Sequence, residues 1–317
     1  MNKKRNRLFP ATILLSIFSI AFASGIYEAC LAMANEARAS NEILWLEDFG
    51  KTLDAAKKDN RLMMVAFYTS WCVFCKKLDR EVFTDPRVVE LSKEIVCAKL
   101  DAEIQRVAAT RYRPAGFPTI IFAIPDGTEV FRISGYRTPD EFYSVMKIFK
   151  EKGFEISQWH DIIKKNPKET FALKSLGRIY LDLGLSGEAV QYLNNAKKSL
   201  TEVAKDATKK ATPTGSSDEM ATNEAPLNIE AERNSISFFL GRAYLGAGEH
   251  KKALKIFQGL IDDNPESLEL PDYYLELGRV YLFWGKKDKA KEIFASLTKQ
   301  YPDSIAAKKV AGLFNHP

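Results

Sequence analysis

Histidine and cysteine are both scarce in this chain, with three and four copies in 317 residues. The histidines (His160, His250 and His316) all lie in the second half. A structural zinc site needs four ligands. In the first half, the only further ligand near the pair Cys72 and Cys75 is Cys97, in a predicted strand, so metal binding is disfavoured. Four cysteines in a chain of this length also exclude a disulfide-stapled scaffold. Nor is there a strong excess of one charge. The formal net charge is +5, and Lys3, Lys4, Arg5 and Arg7 supply much of it. The rest is close to neutral and carries no basic stripe, which argues against a nucleic-acid partner. What remains is ordinary globular material: 46% hydrophobic and 27% charged residues, enough for a real core. Length alone favours two domains.

The N-terminus reads as an export signal. Its cationic start is followed by an apolar run from Ala11 to Ala23, short of the roughly 20 residues of a bilayer span. Small residues suited to cleavage stand at Ala21/Ala23, Ala32/Ala34 and Ala37/Ala39. Cleavage after Ala34 or Ala39 removes Cys30 as well. The competing reading is an uncleaved anchor in which Ser24 to Ala34 extends the span, with Glu28 against it. Residues 1–39 are thus a signal peptide or membrane anchor. Either reading places the rest in the periplasm or an equivalent exported compartment. Cys30 follows Tyr27-Glu28-Ala29, which is not the small-residue context of a lipoprotein cysteine.

What is present is a short motif, Trp71-Cys72-Val73-Phe74-Cys75. An apolar run, Leu62 to Tyr68, precedes it and reads as a buried strand. Lys76 to Phe83 follows as an amphipathic helix. Two thiols three positions apart at a helix start can close a small disulfide ring. The helix N-terminus favours a thiolate on the first cysteine, through its unpaired N–H groups and dipole. Thiol–disulfide exchange is the leading expectation. A zinc site and a purely structural disulfide are the alternatives.

Around the motif, residues 42–152 alternate helix and strand signals. Trp45 to Lys58 is predicted as a helix. Asp85-Pro86 opens a helical turn, Ile95 to Leu100 is a strand, and Ile104 to Tyr112 is helix or loop. Thr119–Ile124 and Thr128–Ile133 are strands joined by a turn at Pro125-Asp126-Gly127. Thr138 and Glu141 form a capping box for a last helix through Lys150. Pro118, in Gly116-Phe117-Pro118-Thr119, stands directly before a strand, where a cis peptide explains its placement.

The second half repeats itself. Leu176-Gly177-Arg178-Ile179-Tyr180 is echoed by Leu240-Gly241-Arg242-Ala243-Tyr244 and by Leu277-Gly278-Arg279-Val280-Tyr281. Twelve residues after each glycine stands an alanine: Ala189, Ala253 and Ala290. Trp159, Phe257 and Phe294 each precede a proline by eight. This is internal repetition of helix–turn–helix units, with a half unit starting near Trp159. The last two units are 37 residues apart, and the additional length is assigned to Ser267–Tyr273. Residues 201–229, rich in Ala, Thr, Ser, Lys and Glu, lack the apolar content to fold alone and read as a flexible insertion.

The motif Trp71-Cys72-x-x-Cys75-Lys76 with Gly116-Phe117-Pro118-Thr119 resembles thioredoxin. With Val82-Phe83-Thr84-Asp85-Pro86-Arg87-Val88, the fuller likeness is to the C-terminal periplasmic domain of the DsbD family of transmembrane thiol reductants. Residues 153–317 look like tetratricopeptide (TPR) repeats. The implied architecture is an α/β thioredoxin fold over 42–152, followed by an all-α TPR domain. The resemblance implies a nucleophilic Cys72, a resolving Cys75 and a cis-Pro118 beside them. It also implies a redox-active Cys72–Cys75 disulfide with no other cofactor. One position departs: the buried acid of thioredoxins, six residues before the first cysteine, is Ala66 here. Asp79, one helical turn after Cys75, is the candidate replacement as proton acceptor.

The expected activity is an exported protein-disulfide reductase. Val73 and Phe74 supply no cation between the cysteines, so a potential nearer about −270 mV than about −120 mV is expected. Trp71, Phe117 and Pro118 are expected to contact substrate, Phe117 and Pro118 through strand-like backbone hydrogen bonds. Cys97 reads as a buried small hydrophobe rather than a third redox partner. Expected partners are protein disulfides, an upstream thiol electron donor, and proteins docked by the repeats. The alternative is a non-catalytic TPR scaffold whose thioredoxin-like domain binds extended chains.

Overall fold

A computed structural model describes residues 41–210 and 229–313. The predicted signal or anchor segment, residues 1–39, lies outside the described residues, as does most of the predicted insertion. Among the described residues, no helix is long and apolar enough to cross a membrane. The chain forms two compact units that divide between Lys150 and Glu151.

The first unit is a five-stranded sheet in the order β1-β3-β2-β4-β5. Its strands are β1 (Trp45–Leu46), β2 (Met63–Tyr68), β3 (Val96–Asp101), β4 (Thr119–Ala123) and β5 (Glu129–Ser134). The first three run parallel, and β4 and β5 are antiparallel to their neighbours. The helices are α1 (Phe49–Asp59), α2 (Val73–Glu81), α3 (Pro86–Ser92), α4 (Arg106–Tyr112) and the start of α5 (Pro139–Lys165). Central strands are apolar on both faces, as expected where both are covered. Met63, Met64, Val65 and Phe67 of β2 are wholly buried. Phe49, Phe67 and Tyr112 pack on one another. A second aromatic group joins Phe122, Phe131, Phe142 and Phe149.

Two predicted boundaries are corrected. The helix expected over Trp45–Lys58 begins only at Phe49, because Asp48 caps it by accepting from the Lys51 N–H at 2.8 Å. Trp45 and Leu46 pair instead with Cys97 and Ala98 of β3. The helix opened by the Thr138–Glu141 capping box does not stop at Lys150 but runs to Lys165. Nothing at 150 terminates it; Asn166-Pro167 does.

The second unit is all helical: the end of α5, then α6 (Thr170–Asp182), α7 (Ser186–Lys210), α8 (Ile229–Gly246), α9 (His250–Asp263), α10 (Leu270–Phe283), α11 (Lys287–Gln300) and α12 (Ile305–Leu313). From α6 to α11 each helix packs on the next. The repeated small residues sit where helices cross. A β-carbon on Gly177 would meet Leu193, one on Gly241 would meet Phe257, and one on Gly278 would meet Phe294. Ala189, Ala253 and Ala290 are wholly buried.

Each pair closes on a glycine at positive φ: Gly184, Gly248 or Gly285, seven residues after the crossing glycine. There the N–H of Leu185, Glu249 or Lys286 donates to the carbonyl of the motif tyrosine, a Schellman closure. The additional length before Tyr273 forms turns and the first residues of α10. Helix α7 carries on to Lys210, into the predicted insertion. No residue from 201 to 207 is buried; Glu202 pairs with Lys168 at 2.7 Å, and Ala, Lys and Glu favour the helix.

Candidate functional site

The site is built at the carboxyl end of β2. The chain leaves the sheet at Tyr68, passes Thr69-Ser70-Trp71, and enters α2 with Cys72 as its N-cap. The Cys75 N–H donates to Cys72 Sγ at 3.0 Å. The Cys72 sulfur thus occupies the place a Ser or Asp oxygen takes in an ordinary N-cap. Cys72 and Cys75 are joined as a disulfide, with Cα atoms 5.3 Å apart. Both are only 4% exposed. Their neighbours Trp71, Val73 and Phe74 face solvent.

The Phe117–Pro118 bond is cis. Strand β4 pairs with β2 in a register that sets Thr119 opposite Phe67. Pro118, one residue earlier, therefore lies level with Tyr68, where β2 runs out toward Trp71 and Cys72. Pro118 itself is buried, and its carbonyl accepts from the Gly135 N–H at 2.8 Å. Phe117 meets Trp71 edge-on, with ring centroids 6.0 Å apart. The fold thus unites two sequence motifs 46 positions apart (117 − 71).

Asp79 lies on α2, and its carboxylate is held by Lys99 Nζ at 2.7 Å. Lys99 is the β3 neighbour of Ala66 in the parallel ladder. The ion pair therefore stands beside the position where the thioredoxin pattern has a buried acid. Neither Lys99 nor Glu103, which accepts from the Trp71 indole N–H at 3.2 Å, was predicted. Strand pairing at Ala66 was the missing information for Lys99. Tyr68 ends β2 among these charges. Its hydroxyl is pushed up, chiefly by burial and then by Asp101, Glu47 and Asp79.

Cys97 is the free cysteine among the described residues, and it is buried. Burial pushes its thiol up to about 12, against a smaller opposing pull from Arg61. It is a core residue on β3. Among the described residues, no group of three or more His, Cys, Asp or Glu side chains is placed to hold a metal ion.

Sheet order, helix-capping cysteine and cis-proline together define a thioredoxin-like fold, and the second unit is a helical repeat. Residues 49–150 match the family of thioredoxin-like domains, and residues 244–313 match the tetratricopeptide repeat. The chain therefore carries a thioredoxin-like domain followed by TPR repeats. A protein disulfide-isomerase of Schizosaccharomyces pombe is 28% identical over 128 residues, which are 40% of this chain and 31% of that protein. The thiol:disulfide interchange protein DsbD of Pseudomonas fluorescens is 32% identical over 81 residues, 24% of this chain and 14% of that protein. A solved thioredoxin from Thermus thermophilus is 28% identical, with a TM-score of 0.32, and spans 35% of this chain and 90% of its own. The chain spans less than a third of the length of these two curated relatives. The thioredoxin-like domain is thus related to thiol–disulfide oxidoreductases.

Proposed function

We propose that this protein is an exported thiol–disulfide oxidoreductase that reduces protein disulfides through Cys72 and Cys75. The observation that carries the reading is the bonded pair at the start of α2, with Cys72 Sγ on the Cys75 N–H. When the pair is reduced, the same N–H and the helix dipole favour Cys72 as thiolate. That thiolate attacks one sulfur of a substrate disulfide. A mixed disulfide forms, and the second substrate sulfur leaves as a thiolate that takes up a proton. Cys75 loses its proton and attacks Cys72 Sγ. The mixed disulfide breaks, and the remaining substrate sulfur leaves and is protonated. Two electrons and two protons have passed to the substrate, and the Cys72–Cys75 bond is restored. A further dithiol protein must return the electrons.

One sequence feature supports the reducing direction. Val73 and Phe74 place no cation beside the thiols. Asp79, paired with Lys99, is the proposed acceptor of the Cys75 proton. Export rests on the sequence of residues 1–39.

The repeats dock a protein partner in this reading. A groove of about 460 Å³ over α7, α8 and α9 supports it, lined by Lys197, Arg233 and Lys255, with Lys252 already paired to Glu249, against the acid Asp263. That charge balance suits an acidic segment.

The test is insulin-disulfide reduction by the parent and by Cys72→Ser. Loss of turnover in the variant is expected. Equal activity, or none in either, leaves the scaffold reading. The Cys75→Ala variant is expected to trap substrates as mixed disulfides on Cys72, which mass spectrometry then identifies.

A further inference from the structure

Helix α2 carries the disulfide, and its two flanks are tied to different parts of the sheet. The buried face runs through Cys75, Leu78 and, at its end, Val82. Helical spacing puts Asp79 on one side of that face. Lys77 and Glu81, one turn apart, lie on the other. Sheet order gives each flank a neighbour, since β3 and β4 lie on opposite sides of β2 and β5 lies beyond β4. Asp79 meets Lys99 of β3 at 2.7 Å. The other flank is met by Tyr136, two residues past the end of β5. The Tyr136 hydroxyl donates to Glu81 Oε2 at 2.8 Å. Lys77 Nζ stands 4.3 Å from the centre of the Tyr136 ring and 3.8 Å from Glu81 Oε2.

The same turn holds the cis-proline. Thr119 pairs with Ser134, so Pro118 and Gly135 are the next residues outward on their strands. The Gly135 N–H donates to the Pro118 carbonyl at 2.8 Å, which extends the ladder past the last pair. Gly135 has φ 83°, a left-handed conformation that turns the chain off the line of β5. Tyr136 follows at once. The residue bonded to Pro118 and the residue bonded to α2 are therefore adjacent in sequence.

The charge states suit the bond. The Glu81 carboxyl is held below the usual range, first by the Tyr136 hydroxyl and then by Arg80. The same bond pushes the Tyr136 hydroxyl up. At neutral pH a neutral hydroxyl thus donates to a carboxylate, the stronger class of hydrogen bond. Both side chains are half-buried at the surface of the unit and not part of its core.

We propose that Tyr136 is a positioning residue for disulfide exchange: through Glu81 it holds α2, and with it Cys72, in a fixed relation to the Pro118 strand. The inference rests on the exchange reading above and adds a residue to it. Attack needs the Cys72 sulfur in line with both sulfurs of the substrate. A polypeptide aligned on the backbone at Phe117 and Pro118 presents its disulfide where that strand dictates, so a displaced α2 loses the alignment and the rate. A small disulfide with no chain adjusts freely and does not sense the displacement.

The test mixes the reduced protein with insulin or with dithiobis(nitrobenzoate), a small disulfide without a peptide chain, in single-turnover reactions. In Tyr136→Phe the rate constant with insulin is expected to fall about fivefold, the effect of about one hydrogen bond, and that with the small disulfide to stay as in the parent. Glu81→Ala should match Tyr136→Phe, and the double variant should be no slower than either. Glu81→Gln, which keeps an acceptor oxygen, should restore the parent rate. Equal losses on both disulfides, or no loss on insulin, overturn the proposal. Amide hydrogen exchange at Gly135 in the oxidised protein reads the tie without chemistry, and Tyr136→Phe is expected to speed it. Unchanged exchange overturns the tie whatever the activity. A parent inactive on both disulfides refutes the exchange reading, and faster exchange in the variant then still supports the tie.

Discussion

Replacing Gly278 with alanine sets two effects of the same small group against each other. An alanine in a helix interior is favoured over glycine by about 1 kcal/mol. At Gly278 the added β-carbon would overlap Cε1 of Phe294 and lie 2.7 Å from its Cδ1. Phe294 is buried in the apolar core of the helix repeats, so its ring can move only by displacing packed neighbours. Overpacking of this kind typically costs about 1–3 kcal/mol. The overlap is severe, so the cost should lie at the upper end and exceed the propensity gain, leaving a net loss of about 1–2 kcal/mol. Gly259, within α9, is the control, because a β-carbon there meets nothing within 4 Å. Gly259→Ala is therefore expected to stabilise by up to about 1 kcal/mol. Thermal unfolding of the full chain followed by far-UV circular dichroism reads both variants. The helix-repeat transition should move down in Gly278→Ala and up in Gly259→Ala, by about 2–4 °C per kcal/mol. Adding Phe294→Leu should make Gly278→Ala less harmful than it is alone. Two upward shifts, or additive effects in the double variant, would refute the claim that close helix approach selects this glycine.

Other outcomes follow from the charges and thiols. His160 stacks on Tyr180 and Tyr192, and burial lowers its pKa below the ordinary 6.5. The unfolded chain then binds the proton first, so stability is full above about pH 6.5 and falls as pH drops below it, with a slope of at most about 1.4 kcal/mol per unit. His160→Gln should flatten denaturation midpoints measured between about pH 7.5 and 5.5, a window above most carboxylate titration. With its thiol at about 12, Cys97 should resist iodoacetamide at about pH 8 in the oxidised folded protein and react after unfolding in urea. Peptide mapping that finds native Cys97 alkylated would contradict its burial. If Asp79 takes the Cys75 proton, Asp79→Asn should slow resolution of the mixed disulfide by about 10²-fold near neutral pH and less at alkaline pH. An unchanged stopped-flow rate removes that role. Stability should hardly move in the same variant, since a partly exposed ion pair is worth at most about 1 kcal/mol.

Most of the fold was legible because its signals are local. The apolar run before Trp71 made β2, Asp85-Pro86 made the start of α3, and the three Leu-Gly-Arg motifs phased the helix pairs. The failures were at boundaries. Trp45 and Leu46 fit a helical pattern, but a cap at Asp48 and a place beside β3 made them a strand. Helix α5 ran past Lys150 because a capping box marks a beginning and says nothing of the end. The glycines that close each repeat were not predicted, although their seven-residue spacing from the crossing glycine was there to read.

Sequence alone determined the local chemistry of this chain: two thiols at a helix start and a proline before a strand. Each depends on neighbours within a few positions, where bond geometry leaves few choices. Tertiary structure decided what surrounds that chemistry. Strand register put Lys99 beside Ala66 and in reach of Asp79. Parallel pairing of β2 with β3 carried Glu103 to the indole N–H of Trp71, and the antiparallel β4 brought Phe117 against the same ring. These contacts join residues 20 to 46 positions apart (99 − 79 and 117 − 71). No local pattern encodes them, because the free energy that fixes register comes from burying whole strands.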